Sequence, residues 1–342
     1  MVIFIKVLTF AIYSLFLQRL GDIVEVMTMD RCIYLGNERL LVRTNWDGYV
    51  VVPSFNVDVA IGAVRDGVIE PWTTRLVQEL LRPGMVLVNG GANYGYYSSL
   101  GAHIVGSIGL VIAVDANPYI IPYLLLTRAW AGRDHNMKIF HRALWTHGGE
   151  KLRFTFDPQY LGGGHAERVT EQWGAKPIVD KSFGENFSEV LWSAENLDKI
   201  TDPDGEIVAG RGMFLKFDVI TSTIDEIVPS GLSVDLIHLD IEGAETAALL
   251  GASQVFDRSP HLRLITEWSA SRTKVTPETR EMAVHFLDLM EIRGYRVREL
   301  QPTLAEDGGI FVSEPLSKVQ MLETAVLGDY VWCKPQDDPW AR

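Results

Sequence analysis

From residue 85 onward, apolar runs of strand length alternate with helix-length stretches, and no other feature constrains the fold as much. Met85–Asn89 (MVLVN), Leu110–Asp115 (LVIAVD), Lys138–His141, Leu236–Asp240 (LIHLD) and Leu262–Glu267 read as strands. Gly95–Val105, Pro118–Ala131, Ala244–Ala252 and Pro277–Arg293 read as the helices between them, and Tyr295–Leu300 and Tyr330–Lys334 complete the set. A strand buried on both faces needs a continuous apolar run, and strands alternating with helices build βαβ units. The expected class is therefore α/β, with a doubly wound, mostly parallel sheet. Thr223–Glu226 (TIDE) has capping-box spacing and predicts a short helix just before LIHLD.

Two regions stand outside this alternation. Residues 1–84 form an N-terminal extension with short β-like runs (IYLG, LLVRT, YVVVP) and a helix expected at Pro71–Leu81. Its first 20 residues are apolar but contain Lys6, and the clean run from Val7 to Leu17 is 11 residues. That is short of the ~18 to 20 that span a bilayer, and GDIVEVMTMD offers no signal-cleavage site. A helix packed on the protein or on a second copy of the chain is the first expectation, with peripheral membrane contact as the alternative. Residues 157–217 form an insertion holding Gly162, Gly163, Gly164, Tyr160, Trp173, Phe183, Phe187 and Trp192. A long segment at the ligand side of a sheet is expected to serve as a lid or substrate-binding element. The polar tail is 336–342.

With 31 Lys and Arg against 44 Asp and Glu, the net charge is −13, which speaks against a nucleic-acid partner. Cys32 and Cys333 are the only cysteines, too few for a disulfide framework or a zinc site, and a reducing, cytoplasmic setting fits.

The chemistry begins at Asn89–Gly95 (NGGANYG), where a strand runs into close glycines and a helix follows. Glycine lets a ligand approach the backbone, and the helix N-terminus offers unpaired N–H groups. Asp115 ends the next strand, 20 residues beyond Gly95, where a carboxylate can accept both hydroxyls of a ribose. Gly90, Gly91 and Gly95 do not give the G-x-G-x-x-G spacing of dinucleotide sites, so a nicotinamide oxidoreductase is disfavoured.

The stretch VLVNGGANYGYYSSLGAHIVGSIGLVIAVDANP resembles the opening of FkbM-type methyltransferases, approximately D-x-G-A-N-x-G-Y-Y followed by E-P-N-P. The stretch TSTIDEIVPSGLSVDLIHLDIEGAETAALLGA resembles the family's T-L-D-E-L, K-x-D-x-E-G-A-E and L-x-G-A. The likeness covers roughly residues 68–335, including Thr266–Glu267 and YVWCKP. Three positions depart from it: Asn89 replaces an acid, Ala116 a proline, and His238 a lysine.

The resemblance implies a seven-stranded, Rossmann-like, S-adenosylmethionine-dependent methyltransferase domain over 85–335. Carried over by position, Gly91, Ala92, Asn93 and Gly95 would shape the cofactor pocket, with Asn89 and Gly90 at its wall. Asp115 would hold the ribose, Asn117 would lie beside it, and Ala143 would approach the adenine. Asp240 would sit near the methyl group, and Glu70 would close the pocket from above. Asp240, with His165 in a loop or His238, is the candidate for the acceptor proton. Glu242 and Glu245 are expected to cap the next helix, and a Mg²⁺ ion on Asp240, Glu242 and Glu267 is the minor alternative. The implied activity is O-methylation of a sugar, glycan or small natural product. The alternatives are an N-methyltransferase on a small molecule and a catalytically silent cofactor-binding subunit, the latter supported by Asn89.

Overall fold

The computed structural model describes residues 31–55, 60–157, 160–168 and 215–341. The apolar segment 1–20 and the insertion aromatics Trp173, Phe183, Phe187 and Trp192 lie outside them.

Three antiparallel strands come first: β1 (Cys32–Gly36), β2 (Arg39–Arg43) and β3 (Tyr49–Pro53). Helices α1 (Ile61–Asp66) and α2 (Pro71–Leu80) lead into the core. The core then alternates β4 (Val86–Gly90), α3 (Tyr96–Val105), β5 (Leu110–Asp115), α4 (Ile121–Trp130) and β6 (Met137–His141). After a second small sheet, described below, it resumes with α5 (Ile224–Ile227), β11 (Leu236–Leu239), α6 (Glu245–Leu250), α7 (Ser253–Arg258) and β12 (Arg263–Trp268). Helix α8 (Pro277–Ile292), β13 (Arg296–Leu304), β14 (Ile310–Val312), α9 (Lys318–Glu323) and β15 (Gly328–Cys333) close the chain.

The central sheet has eight strands in the order β14-β13-β15-β12-β11-β4-β5-β6. The pairs from β12 to β6 are parallel, whereas β15 runs antiparallel to β12 and β13. The expected seven strands are present, and β14 adds an eighth as an antiparallel edge beside β13. Period-2 alternation divides the core into two layers. Val86, Val88, Ile237 and Leu239 meet Ala248, Phe286 and Leu287 on one face. Leu87, Val111, Leu236 and Ile265 meet Leu76, Val77 and Leu100 on the other. Gly101 permits the close approach of α3, because a Cβ there would stand 2.4 Å from Leu87 Cδ2. The TIDE box forms as expected: Thr223 and Glu226 exchange side chain–backbone bonds of 2.9 and 3.0 Å.

Strand order reverses at β4, which pairs with β5 on one side and β11 on the other. In open α/β sheets the ligand crevice lies at such a switch point, beyond the carboxyl ends of the strands.

The insertion differs from its expected form. Strands β7 (Ala143–Leu144), β8 (Lys151–Asp157), β9 (Tyr160–Arg168) and β10 (Leu215–Ser222) make a second sheet in the order β7-β10-β8-β9. Gly162, Gly163, Gly164 and His165 stand in β9 rather than in a loop, with His165 opposite Thr155 and Gly164 opposite Phe156. Leu152, Phe154 and Phe156 share a core with Val51, Ile69, Tyr94 and Ile120, so this sheet and the N-terminal one pack together around the crevice.

Candidate functional site

The crevice encloses about 1040 Å³ of empty space, open to solvent. Its floor is the turn after β4. Gly91 takes φ +72° and Asn93 φ +49°, conformations that let the chain double back at once into α3. Asn93 N–H donates to Asp115 Oδ2 and Asn117 N–H to Asp115 Oδ1, both at 2.8 Å. The carboxylate thus ties the first turn to the second and keeps acceptor capacity for a ligand. Burial pushes Asp115 up to about 6, and the N–H groups of Asn117 and Asn93 pull against that shift.

The other side of the crevice is acidic. Asp240 follows β11 and opens into it. Loss of water around the carboxyl, although Asp240 stays exposed at the crevice, and then the carboxylates of Glu267, Glu70 and Asp329 hold it well above the usual range. Glu70 caps α2 with a left-handed backbone (φ 40°, ψ 78°) and accepts a 2.7 Å bond from Tyr97 Oη–H. Burial raises its proton affinity, partly offset by Tyr97. Burial and Glu70 likewise raise Asp329 to about 7. Arg272 is the counter-charge that sequence reading missed: it bonds Glu267 and, at 2.8 Å, Glu242. No local pattern marks it, because its partners lie 5 and 30 residues away. It occupies the space between two of the carboxylates considered for Mg²⁺, and among the described residues no group of three His, Cys, Asp or Glu is placed to hold a metal ion.

Of the residues expected at the cofactor, Glu70, Gly91, Ala92, Asn93, Asp115, Asn117, Ala143 and Asp240 line the crevice together with His238. Asn89, Gly90 and Gly95 do not line it. Gly90 packs on Leu144 and Leu239, and Gly95 on Leu124 and Thr127, so their small size serves packing. Asn89 is buried beneath the floor, bonded to Ser98 and His238. Asn117 is committed within the protein: its Nδ2 donates to Leu161 O of β9 at 2.9 Å. Glu245 is more than a helix cap. Its Oε1 accepts from Ile241 N and Gly243 N at 2.9 and 3.2 Å, closing the turn that carries Asp240.

The methyltransferase FkbM domain model matches residues 89–297 of this chain. No curated protein matches it. Among solved structures, an S-adenosylmethionine-dependent O-methyltransferase from Thermotoga maritima shares 13% identity over 86% of this chain and 77% of its own, with a TM-score of 0.35. A precorrin-6y C5,15-methyltransferase from Geobacter metallireducens shares 12% over 77% and 87%, with a TM-score of 0.34. An O-methyltransferase from Bacillus cereus, in complex with S-adenosylhomocysteine, shares 11% over 77% and 78%, with a TM-score of 0.35.

The crevice fits S-adenosylmethionine in kind. An acid with spare lone pairs stands at the end of β5, and apolar Ala143, Leu144, Phe154 and Leu161 offer surfaces for a flat base. Beside them lies Trp145, whose buried Nε1 has no hydrogen-bond partner among the described residues. Asp115→Ala is expected to weaken S-adenosylhomocysteine binding by ~1.5–3 kcal/mol, roughly 10- to 100-fold in Kd by calorimetry. Ribose hydroxyls donating to Asp115 would favour its charged form, so binding would expel the proton held below about 6. Affinity should therefore weaken as pH falls through that value, and this limb should vanish in Asp115→Ala.

Proposed function

Because the chain belongs to the FkbM methyltransferase family and is an S-adenosylmethionine-dependent enzyme, we propose that it methylates a hydroxyl of a sugar, glycan or small natural product. The observation that carries this reading is Asp240, a carboxylate of raised proton affinity opening into the crevice. A hydroxyl becomes a competent nucleophile only as its proton leaves, and a base titrating near the working pH removes it best. S-adenosylmethionine, when bound, supplies an electrophilic methyl carbon on a sulfonium. Asp240 would receive the acceptor proton on a carboxylate oxygen, and Glu70 and Asp329 would sustain its basicity. Glu245 would hold Asp240 in place through the turn it closes. Positioning of this kind supplies much of the rate in a displacement with no covalent enzyme intermediate.

His238 is the weaker base, since burial holds it at about 4. His165 has its place in β9, opposite Thr155. The silent-subunit alternative loses its motive, because Asn89 does not face the crevice. The acidic wall favours a second reading, an amine acceptor drawn in as a cation. Among the described residues no helix is long and apolar enough to cross a membrane. We set the enzyme in the cytoplasm, with both cysteines free and residues 1–20 as the segment for any membrane or self-contact.

The test is turnover of methyl-labelled S-adenosylmethionine against panels of sugars, glycosides, phenols and amines. Methyl ethers in the product support the reading. Methylamines alone transfer it to the second one, and no labelled product with any hydroxyl acceptor removes it.

A further inference from the structure

Two of the three positions where this chain departs from the motifs it resembles, Asn89 and His238, stand side by side on β4 and β11. An amide and an imidazole replace an acid and a lysine, and they are bonded: His238 Nδ1 lies 2.8 Å from Asn89 Oδ1. The amide is held from its other end as well, where Nδ2 donates to Ser98 Oγ at 2.8 Å. In this orientation of the amide, with Oδ1 toward the ring, the oxygen only accepts, so Nδ1 carries the proton and Nε2 the free lone pair. Among the described residues nothing bonds Nε2, although His238 is only 3% exposed and lines the crevice.

We propose that Asn89 is a positioning residue that fixes His238 as the Nδ1–H tautomer and so presents Nε2 to the crevice as an uncharged acceptor for an O–H or N–H of the methyl-accepting molecule. The proposal rests on the methyltransferase reading above for its ligand. The imidazole's surroundings keep it neutral. Ile265 beside it on β12 is apolar, and Tyr97 of α3 meets it edge-on at 4.7 Å between ring centroids. The titratable groups around it are Tyr97, Glu70 on the Tyr97 hydroxyl, and Asp240 two residues along the chain. None donates to Nε2. Burial alone sets its affinity for a proton, which is low. An unpaired acceptor in such a place is satisfied only by water or by a ligand hydrogen. A charged pair at these positions would instead leave an ammonium, which cannot accept.

The test is histidine-selective ¹⁵N NMR of the full chain, with the His238 signal assigned by its loss in His238→Gln. It needs no acceptor molecule, so its failure is separable from failure of the proposed function. The wild type should show a protonated Nδ1 and a bare Nε2, without titration between pH ~5.5 and ~9, and a water cross-peak to the ring. Asn89→Leu should lose the single tautomer. Asn89→Asp keeps the shape but adds a carboxylate, which favours imidazolium and should raise the His238 pKa by ~1 unit or more. Should Asn89→Leu fail to fold, the isosteric Asn89→Asp decides alone. A protonated Nε2 in the wild type, an absent water cross-peak, or a His238 pKa unchanged in Asn89→Asp would overturn the proposal.

Discussion

Asp240→Asn is expected to slow single-turnover methyl transfer by about 10²- to 10⁴-fold, the usual cost of losing a general base. Cofactor affinity should stay within a factor of about three, or ~0.7 kcal/mol, since Asn keeps the shape of the turn. The pH profile separates this role from a structural one. Partial loss of water and the carboxylates of Glu267, Glu70 and Asp329 raise the carboxyl's affinity for protons. A base works in its deprotonated form, so the wild-type rate should climb as pH rises through that elevated pKa. His238, near 4, does not titrate in the same window. In Asp240→Asn the climbing limb should disappear along with the rate. A variant that turns over at the wild-type rate would shift the role to another group. A variant that melts early and loses cofactor affinity would make Asp240 a structural residue.

Much of the central sheet can be read directly from the chain, for a physical reason. Strands β4, β5 and β11 are buried on both faces, so their residues are apolar apart from Asn89, Asp115 and His238, a pattern that few other structures tolerate. Asp115 is equally visible: a single acid closing such a run at a switch point has little purpose except to hold a ligand or a loop, and here its oxygens accept from two backbone N–H groups. The second sheet is hidden because its pairing is not local. β10 lies between β7 and β8, and its partners on β8 are more than 50 residues away. Three consecutive glycines also look like loop punctuation, yet they stand in β9, where Gly164 pairs with Phe156 of β8.

The same limit applies at the site. Glu245 has the sequence position of a dipole cap, and only the geometry of the turn reveals bonds to Ile241 N and Gly243 N. Asn89 and His238 appear as two unrelated departures, because register between β4 and β11 is a property of the folded sheet. Arg272 is an ordinary cation until Glu242 and Glu267 are brought to either side of it. Residue identity thus reveals which chemistry is available, whereas partnership, which sets proton affinity and orientation, arises from packing across strands.

Gly91→Ala should be the most damaging small substitution in the site. Gly91 sits at φ +72°, and a Cβ there would lie 1.8 Å from the backbone oxygen of Asp240. A flexible side chain could swing away, but here the obstacle is the main chain that aims the proposed base. Two costs combine: about 1–2 kcal/mol for a left-handed alanine and about 1–3 kcal/mol for forcing packed backbone apart. Their sum, roughly 2–5 kcal/mol, is a large share of the ~5–15 kcal/mol that holds a domain folded. Either the protein loses that stability, or the turn after β11 moves and Asp240 leaves its place. Gly132→Ala is the control, since Gly132 also has positive φ (+65°) but nothing lies within 4 Å of its Cβ. It should lose only the conformational part in a denaturant melt and keep full turnover. If the two variants lose equal stability and both retain wild-type turnover, the close approach of Gly91 to the Asp240 backbone has no part in holding the site.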